Sequence, residues 1–301
     1  MHINRFPKRA LLLIHRPFQR VNVPALVRLC LLAGWVFASA APASPSAWPE
    51  ELGLPFTASR DIRLIDNDGF VIGYDMARAQ AAWVAYRVVP VADYVEHRRP
   101  PFVADPRLGE EPDTGIYAGP RYDRGHLAPN YAMSQLYGEH AQRQSFYYTN
   151  IVPQRPRLNQ LVWQRLEEIE IDDVATHNSP LWVMLGPIAA DTTDKPAAFF
   201  RIWLARSEAG DWQAMAFIVP QSVRGDEALS RFLVSIDRIE AMTGLDFLPA
   251  LAQSRQARLE QGVAPRRRFG LAKLACSPAR YAARWQGRDG ARLDFDRCAT
   301  R

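Results

Sequence analysis

The 301-residue sequence predicts an α+β fold, with a mixed or antiparallel central sheet packed against helices. Two observations favour this class. Short runs rich in β-branched and aromatic residues recur between residues 70 and 219, and two separate segments show helical spacing of their apolar residues. With 48% hydrophobic and 23% charged residues, the composition is typical of a globular protein rather than a disordered one.

The predicted elements follow from these patterns in chain order. Helices are expected over 159–170 and over 226–243, the second opening at Asp226 and ending before Gly244. Strands are predicted for five buried runs, namely 70–74, 83–89, 181–185, 199–204 and 215–219.

The first forty residues are typical of an export signal. Residues 1–40 carry six basic residues and no acidic one, and the apolar run 29–37 leads to an Ala-Ser-Ala cleavage pattern ending at Ala40. We favour a cleaved signal over an uncleaved anchor, because this run is too short to span a bilayer as a helix. The sequence thus predicts a periplasmic or secreted protein without stable membrane insertion, in which residues 41–58, rich in Ala, Pro and Ser, form a linker.

The formal net charge of +5 comes from 37 basic and 32 acidic residues and is unevenly distributed. Residues 254–301 hold twelve basic and four acidic residues, so residues 41–253, which include the expected main domain 59–253, are acidic, with 19 basic and 28 acidic residues. A basic extension of this kind could bind nucleic acid, remain solvated or pack on the acidic core. We favour the last two.

Two cysteines, Cys276 and Cys298, remain after the predicted signal, and both lie in this basic extension. Export implies an oxidising compartment, so we expect a disulfide between them rather than two free thiols.

Several enzyme classes lack their motifs here. The sequence has no P-loop, no G-x-S-x-G and no H-E-x-x-H, which disfavours P-loop enzymes, α/β-hydrolases and zincins. His126 stands out within Asp-Arg-Gly-His at 123–126. An imidazole beside a carboxylate and a guanidinium suits a general base near an anion, and a structural histidine in a polar turn is the alternative.

A second set of polar residues lies on the predicted helix 159–170. Asn159, Trp163 and Glu167 are spaced four residues apart and share one helix face. An amide oxygen and a carboxylate suit a hard cation such as Mg²⁺, which keeps most of its waters. The alternative is that Asn159 caps the helix and Glu167 is a solvated acid.

These motifs together resemble the DNA/RNA non-specific endonucleases, the ββα-metal family that includes endonuclease G. The resemblance rests on Asp-Arg-Gly-His-Leu-Ala-Pro at 123–129, Asn-Ile-Val-Pro-Gln at 150–154, Asn159, Trp163 and Glu167. It extends over roughly residues 60–252 through Leu-Gly-Pro-Ile at 185–188 and the segment 236–245.

The resemblance implies an Mg²⁺-dependent, or Mn²⁺-dependent, endonuclease that hydrolyses DNA and RNA through phosphate contacts. It makes His126 the general base, Asn159 the direct metal ligand and Glu167 the carboxylate that holds metal-bound waters. Asn150 would orient the histidine loop, and Asp123 would support the metal site.

The resemblance also assigns the cations that meet the substrate. Arg124 would neutralise charge on the phosphorane, and Arg99, with Arg98 as the neighbouring choice, would bind substrate. Where some members carry a basic residue past the glutamate, this chain has Ile171, so its grip on phosphate is expected to differ. Two alternatives stay open: a metal phosphodiesterase with smaller substrates, and a catalytically silent nucleic-acid-binding protein. A homodimer is compatible with the sequence, and no inhibitor can be read from it.

Overall fold

The computed structural model describes residues 48–95, 97–109, 121–190, 193, 195–288 and 292–299. The predicted signal peptide, its cleavage site at Ala40 and most of the predicted linker lie outside the described residues. Among the described helices, none combines the length and apolar character that crossing a membrane requires.

Two antiparallel sheets form the β part of the fold. Their strands are β1 Ile62–Asn67, β2 Phe70–Asp75, β3 Gln80–Val88, β4 Asp123–His126, β5 Ile151–Gln154, β6 Leu181–Ile188, β7 Ala198–Arg206, β8 Trp212–Pro220 and β9 Leu233–Val234. The larger sheet has seven strands in the order β1-β2-β3-β6-β7-β8-β9, and a separate hairpin pairs β4 with β5. The α+β prediction is confirmed, with every described strand pair antiparallel.

The longest continuous helical stretch, called here the long helix, covers residues 158–177 and is irregular. Its segments are Leu158–Trp163 (π), Gln164–Ile169 (α2), Glu170–Val174 (π) and Ala175–His177 (α3). The other α-helices are α1 Asn130–Ser145, α4 Ile236–Thr243, α5 Gln253–Glu260, α6 Leu271–Leu274 and α7 Asp296–Ala299, and short 3₁₀ turns cover Tyr148–Asn150, Leu229–Phe232, Arg268–Gly270 and Ala282–Trp285.

Both faces of the strands β2, β3, β6, β7 and β8 are buried, which explains why these strands are apolar in nearly every position, whereas the edge strand β1 exposes Arg63 and Leu64. Phe199 and Trp203 of β7 face the cluster that contains the long helix, whereas Phe200 and Ile202 face the cluster that contains α4. A third, small cluster joins Leu161 of the long helix to the C-terminal extension.

The helix predicted over 226–243 is wrong in its first half. Leu233 and Val234 instead form β9 and pair with Phe217 and Ala216 of β8. The helix starts only after Ser235, whose side chain accepts a hydrogen bond from the Arg238 amide at 3.2 Å. Strand pairing satisfies the backbone of 233–234 directly, so it prevails over the helical spacing.

The predicted linker ends before residue 58. Leu52 is fully buried in the cluster under α4, and Phe56 forms a β-bridge with Asp246. The C-terminal extension also packs on the domain, since Phe269 and Leu271 belong to the main core.

Candidate active site

The hairpin of β4 and β5 presents the Asp-Arg-Gly-His segment. Asp123 pairs with Gln154 and His126 with Ile151, so the four residues are held in extended conformation. Alternate residues share a strand face, which places Arg124 and His126 on one side of the hairpin. Gly125 is required by space, because a Cβ there would lie 2.1 Å from the Gln154 Oε1 atom.

His126 is 9% exposed and lies in an aromatic setting. Its ring meets the edge of Phe146 at a centroid distance of 4.5 Å and lies 5.5 Å from Phe102. Burial, together with the nearby charge of Arg99, lowers its pKa to about 3, so the imidazole is neutral at physiological pH. Its Nε2 atom is buried without a hydrogen-bond partner among the described residues, so its hydrogen-bonding capacity is unused.

Asn150 fixes the backbone that follows His126. Its side chain accepts from the Ala128 amide at 2.8 Å and donates to the carbonyls of Ala128 and Ser145 at 2.9 Å each. Its own carbonyl accepts from the Leu127 amide at 3.0 Å. Because Asn150 is fully buried, these bonds anchor the histidine loop to β5.

The two candidate substrate arginines differ. Arg99 lies over the Phe146 ring at 5.6 Å, close enough for its charge to act on His126. Arg124 lies over Phe102, the other ring beside His126, at 5.3 Å. Arg98 is exposed and makes none of these ring contacts. Arg99 and Arg124 are therefore two exposed cations, each over a ring that contacts the imidazole, and Arg98 lies outside this group.

Asp123 connects the hairpin to the long helix. Its Oδ2 atom accepts hydrogen bonds from Asn159 Nδ2 at 2.9 Å and from Gln160 Nε2 at 2.7 Å. An ionised carboxylate only accepts, so the Asn159 amide must direct Nδ2 towards Asp123 and keep Oδ1 for another partner. Asn159 therefore does not cap the helix through its side chain.

Glu167 lies two turns further along the long helix and is half-buried. Burial raises its pKa to about 8, the Arg201 guanidinium opposes this rise, and the Glu170 and Glu168 carboxylates add to it. Within the described residues, no cationic side chain lies within ion-pair distance of Glu167. An amide oxygen and an unpaired carboxylate on one helix are a chemically suitable donor set for a hard divalent cation.

Below this helix lies a buried polar network that sequence reasoning missed. Arg201 donates to Glu170 at 2.5 Å and to the Tyr86 hydroxyl at 2.6 Å, and Trp203 donates to the same Glu170 carboxylate. The guanidinium also lies 4.5 Å from the centre of the Trp163 ring. An arginine inside an otherwise apolar strand was the signal that could have revealed it, because buried charges need partners.

Elsewhere, the oxygens of Asp237, Glu240 and Glu260 lie within 4.8 Å of one another on α4 and α5. Ile171, which stands where some family members carry a basic residue, is 2% exposed and belongs to the main core. It cannot contribute to phosphate binding.

A family model for DNA/RNA non-specific endonucleases matches residues 52–254. The chain belongs to this family. The match covers β1 to α4 with the hairpin and the long helix, and it leaves most of the C-terminal extension outside.

The curated relatives to which this chain is similar are also nucleases. The chain is 28% identical to the mitochondrial nuclease EXOG of Xenopus laevis, over 67% of this chain and 62% of that protein. It is 28% identical to human mitochondrial endonuclease G, over 65% and 72%, and 27% identical to a nuclease of Serratia marcescens, over 71% and 86%. It thus spans less than two thirds of the length of the EXOG relative. The solved structure of an EndoG/EndoGI complex has the same fold, with a TM-score of 0.56, 20% identity and coverage of 64% of this chain and 88% of that one.

Proposed function

We propose that this family member is an Mg²⁺-dependent endonuclease, with Mn²⁺ as a substitute, that hydrolyses phosphodiester bonds of DNA and RNA with little sequence preference. The observation that carries the proposal is the bond between Asp123 and Asn159. It joins the strand of a neutral histidine, whose Nε2 atom has no hydrogen-bond partner among the described residues, to the helix that carries the oxygen donors. Hydrolysis needs a base and an electrophile in one place, and this bond couples the two elements.

Each residue has a chemical task in this proposal. His126 Nε2 accepts the proton of the attacking water, and Asn150 holds the imidazole in place through the loop behind it. Arg124 and Arg99 neutralise the non-bridging oxygens, where negative charge grows in the transition state. Arginine presents a planar fork that matches phosphate, and both guanidinium groups are exposed beside the imidazole.

The oxygen donors of the long helix fit the cation. Asn159 Oδ1 would bind it directly, Glu167 would hold its water shell, and Asp123 fixes the amide orientation. When bound, the cation supplies Lewis-acid stabilisation of the leaving oxygen.

The depressed pKa of His126 is compatible with a general base that works on an anionic substrate. Arg99 contributes to the depression, so a phosphate that pairs with Arg99 offsets this contribution and increases the basicity of the imidazole. Burial keeps Nε2 away from competing water until substrate arrives.

The test compares His126→Ala with His140→Ala in plasmid nicking. His140 is exposed on α1 and pairs with Asp68, which is not part of the hairpin, so it is a matched control. We expect His126→Ala to lose about 10²- to 10⁴-fold in rate, the usual contribution of a general base, and His140→Ala to retain it. Undiminished nicking by His126→Ala would reject the histidine as base.

Asn159→Ala should raise the Mg²⁺ concentration that gives half-maximal activity, because it removes the direct ligand. Asn178→Ala removes an amide just beyond the last turn of the same helix and should leave that concentration unchanged. An identical metal titration for Asn159→Ala would contradict the ligand assignment. Parallel assays on plasmid, RNA and bis-nitrophenyl phosphate separate a nucleic-acid enzyme from a small-diester phosphodiesterase or a silent binder.

We also propose export to the periplasm or the medium after cleavage near Ala40. The disulfide between Cys276 and Cys298, with a sulfur–sulfur distance of 2.10 Å, supports an oxidising compartment. N-terminal sequencing of the mature protein tests this, and a sequence that begins at Met1 would refute it.

A further inference from the structure

A groove of about 590 Å³ opens beside the candidate active site and is lined by four arginines, Arg121, Arg155, Arg157 and Arg224. Arg121 lies two residues before Asp123, so the Cα atoms of these two residues are at most about 7 Å apart. Asp123 is the residue that accepts the hydrogen bond from Asn159. Arg155 directly follows β5, opposite the start of β4. The groove therefore continues from the hairpin end nearest the proposed metal ligand.

The groove is built by segments that are held together. Gln221 is 7% exposed, donates to the Pro153 carbonyl at 2.8 Å and accepts from the Arg155 amide at 2.8 Å. Trp285, in the C-terminal extension beyond the family match, forms another part of the lining and packs in the cluster of Leu161. These contacts give the arginines a defined backbone setting.

The charge of this groove is only partly compensated. Arg224 pairs with Asp226 at 3.1 Å, and Arg157 donates weakly to the Arg224 carbonyl at 3.4 Å. Among the described carboxylates, none lies within ion-pair distance of Arg121 or Arg155, both of which are exposed. A concave surface with several uncompensated guanidinium groups attracts a polyanion.

Other arginines near the site do not share this property. Arg143 is paired with Glu139 at 2.6 Å, and Arg165 is buried and donates to three backbone carbonyls. Arg143 and Arg165 are therefore already bonded to other protein groups, and neither lines the groove.

We propose that the groove is a second phosphate-binding site, which holds backbone phosphates of the nucleic-acid strand beside the scissile phosphate. The inference rests on the proposed function and extends it: the enzyme binds a strand several nucleotides long rather than an isolated diester. Arg121 and Arg155 provide bidentate contacts to successive phosphates, without reading base sequence.

The test measures binding of a 20-nucleotide single strand by the full chain in EDTA, at increasing salt. Each phosphate contact on a single strand contributes about 0.7 to the slope of log K against log salt. Arg121→Gln with Arg155→Gln should therefore reduce that slope by about 1.4. Between 50 and 200 mM salt, the wild type should lose about 7-fold more affinity than this double variant.

The matched control is Arg255→Gln with Arg258→Gln. These exposed arginines line another basic cavity of about 640 Å³, which lies around Trp212 and Leu259 and away from the hairpin. The control removes the same number of charges from a cavity that makes no proposed phosphate contact, so its slope should equal that of the wild type. Equal slopes in all three proteins, or equal reductions in both double variants, would overturn the proposal.

Cleavage gives an independent readout. The ratio of kcat/KM for the 20-nucleotide strand to that for bis-nitrophenyl phosphate should fall in the groove variant and not in the control variant. Binding in EDTA requires no catalysis, so absence of cleavage by the wild type would refute the proposed function while the salt slopes still decide on the groove.

Discussion

The disulfide between Cys276 and Cys298 should determine how firmly the C-terminal extension holds the long helix. Arg165 lies on that helix between Asn159 and Glu167 and is 1% exposed. Its guanidinium donates to the carbonyls of Ala275 at 2.5 Å and Ser277 at 2.6 Å, the residues on either side of Cys276, and to Glu227 at 2.8 Å. Removal of the bridge therefore acts on the segment that supports the proposed metal ligands.

The magnitude follows from the loop that the bridge closes. A sequence separation of 22 residues corresponds, on the chain-entropy model, to about 3 kcal/mol. That free energy is roughly a 100-fold change in an equilibrium constant. For Cys276→Ser with Cys298→Ser, we expect the part of the extension between these two positions to open about 100-fold more often, because only a small apolar cluster holds it apart from the bridge.

Hydrogen exchange measures this opening directly. Amides of residues 276–288 and 292–298 should lose about 100-fold of protection in the double variant, whereas amides of β6 and β7 in the central sheet should lose much less. Reductant should produce the same loss in the wild type and no further loss in the variant. Unchanged protection of these residues after reduction would refute the loop-entropy reasoning.

Two further predictions concern packing and charge. Gly125→Ala would place a Cβ 2.4 Å from Cδ of the fully buried Gln154, so we expect its free energy of unfolding, measured in urea, to fall by about 1–3 kcal/mol. At Gly262 an added Cβ meets open space, so Gly262→Ala should leave this free energy nearly unchanged. Glu260 is buried and its Oε1 is unpartnered; burial and nearby acids raise its pKa to about 8 from 4.5. The folded protein thus prefers the protonated form of Glu260, so the wild type should lose stability as pH rises from about 4.5 through 8. Glu260→Gln should therefore be more stable than the wild type at pH 9, and this advantage should disappear near pH 5. An advantage independent of pH would contradict the reasoning.

Local sequence signals were sufficient for five of the seven strands of the large sheet. Apolar and β-branched runs identified β2, β3, β6, β7 and β8, because both faces of these strands are buried and nearly every position is apolar. The edge strands were missed, since β1 contains exposed polar residues and β9 has only two residues. The same signals failed at 226–234, where Leu229 and Phe232 are buried as a helix would require but lie in a 3₁₀ turn. Strand pairing with β8, about 17 residues away in sequence, decided the outcome there.

In the candidate site, too, local features could be predicted from the sequence and contacts between distant segments could not. The motif at 123–126 and the spacing of Asn159 and Glu167 were readable, because each is local. The rings of Phe102 and Phe146 around His126 were not, since they come from separate segments brought together by folding. The partnership of Glu170 with Arg201, 31 residues apart, likewise depends on how the long helix lies on the sheet.

The long helix carries two π segments, and its contacts explain how this irregular backbone is maintained. Asn159 in the first π segment bonds to Asp123 of the hairpin, and Glu170 in the second bonds to Arg201 of the sheet. Arg165, between them, bonds to the extension. π segments occur frequently at functional sites, where an altered turn redirects a side chain.

Three anchors therefore hold the helix, and Glu167 lies between the second and third of them along the chain. The nearby acid Glu170 has its charge matched by Arg201 at 2.5 Å, whereas Glu167 has no ion-pair partner in the described part of the chain. A helix fixed at three points restricts the movement of this unpaired carboxylate, which is what a cation with few protein ligands requires. Asn159 and Glu170 bond to partners in the family region, whereas Arg165 bonds to the disulfide-closed extension, so in this chain the extension is part of the framework of the candidate active site.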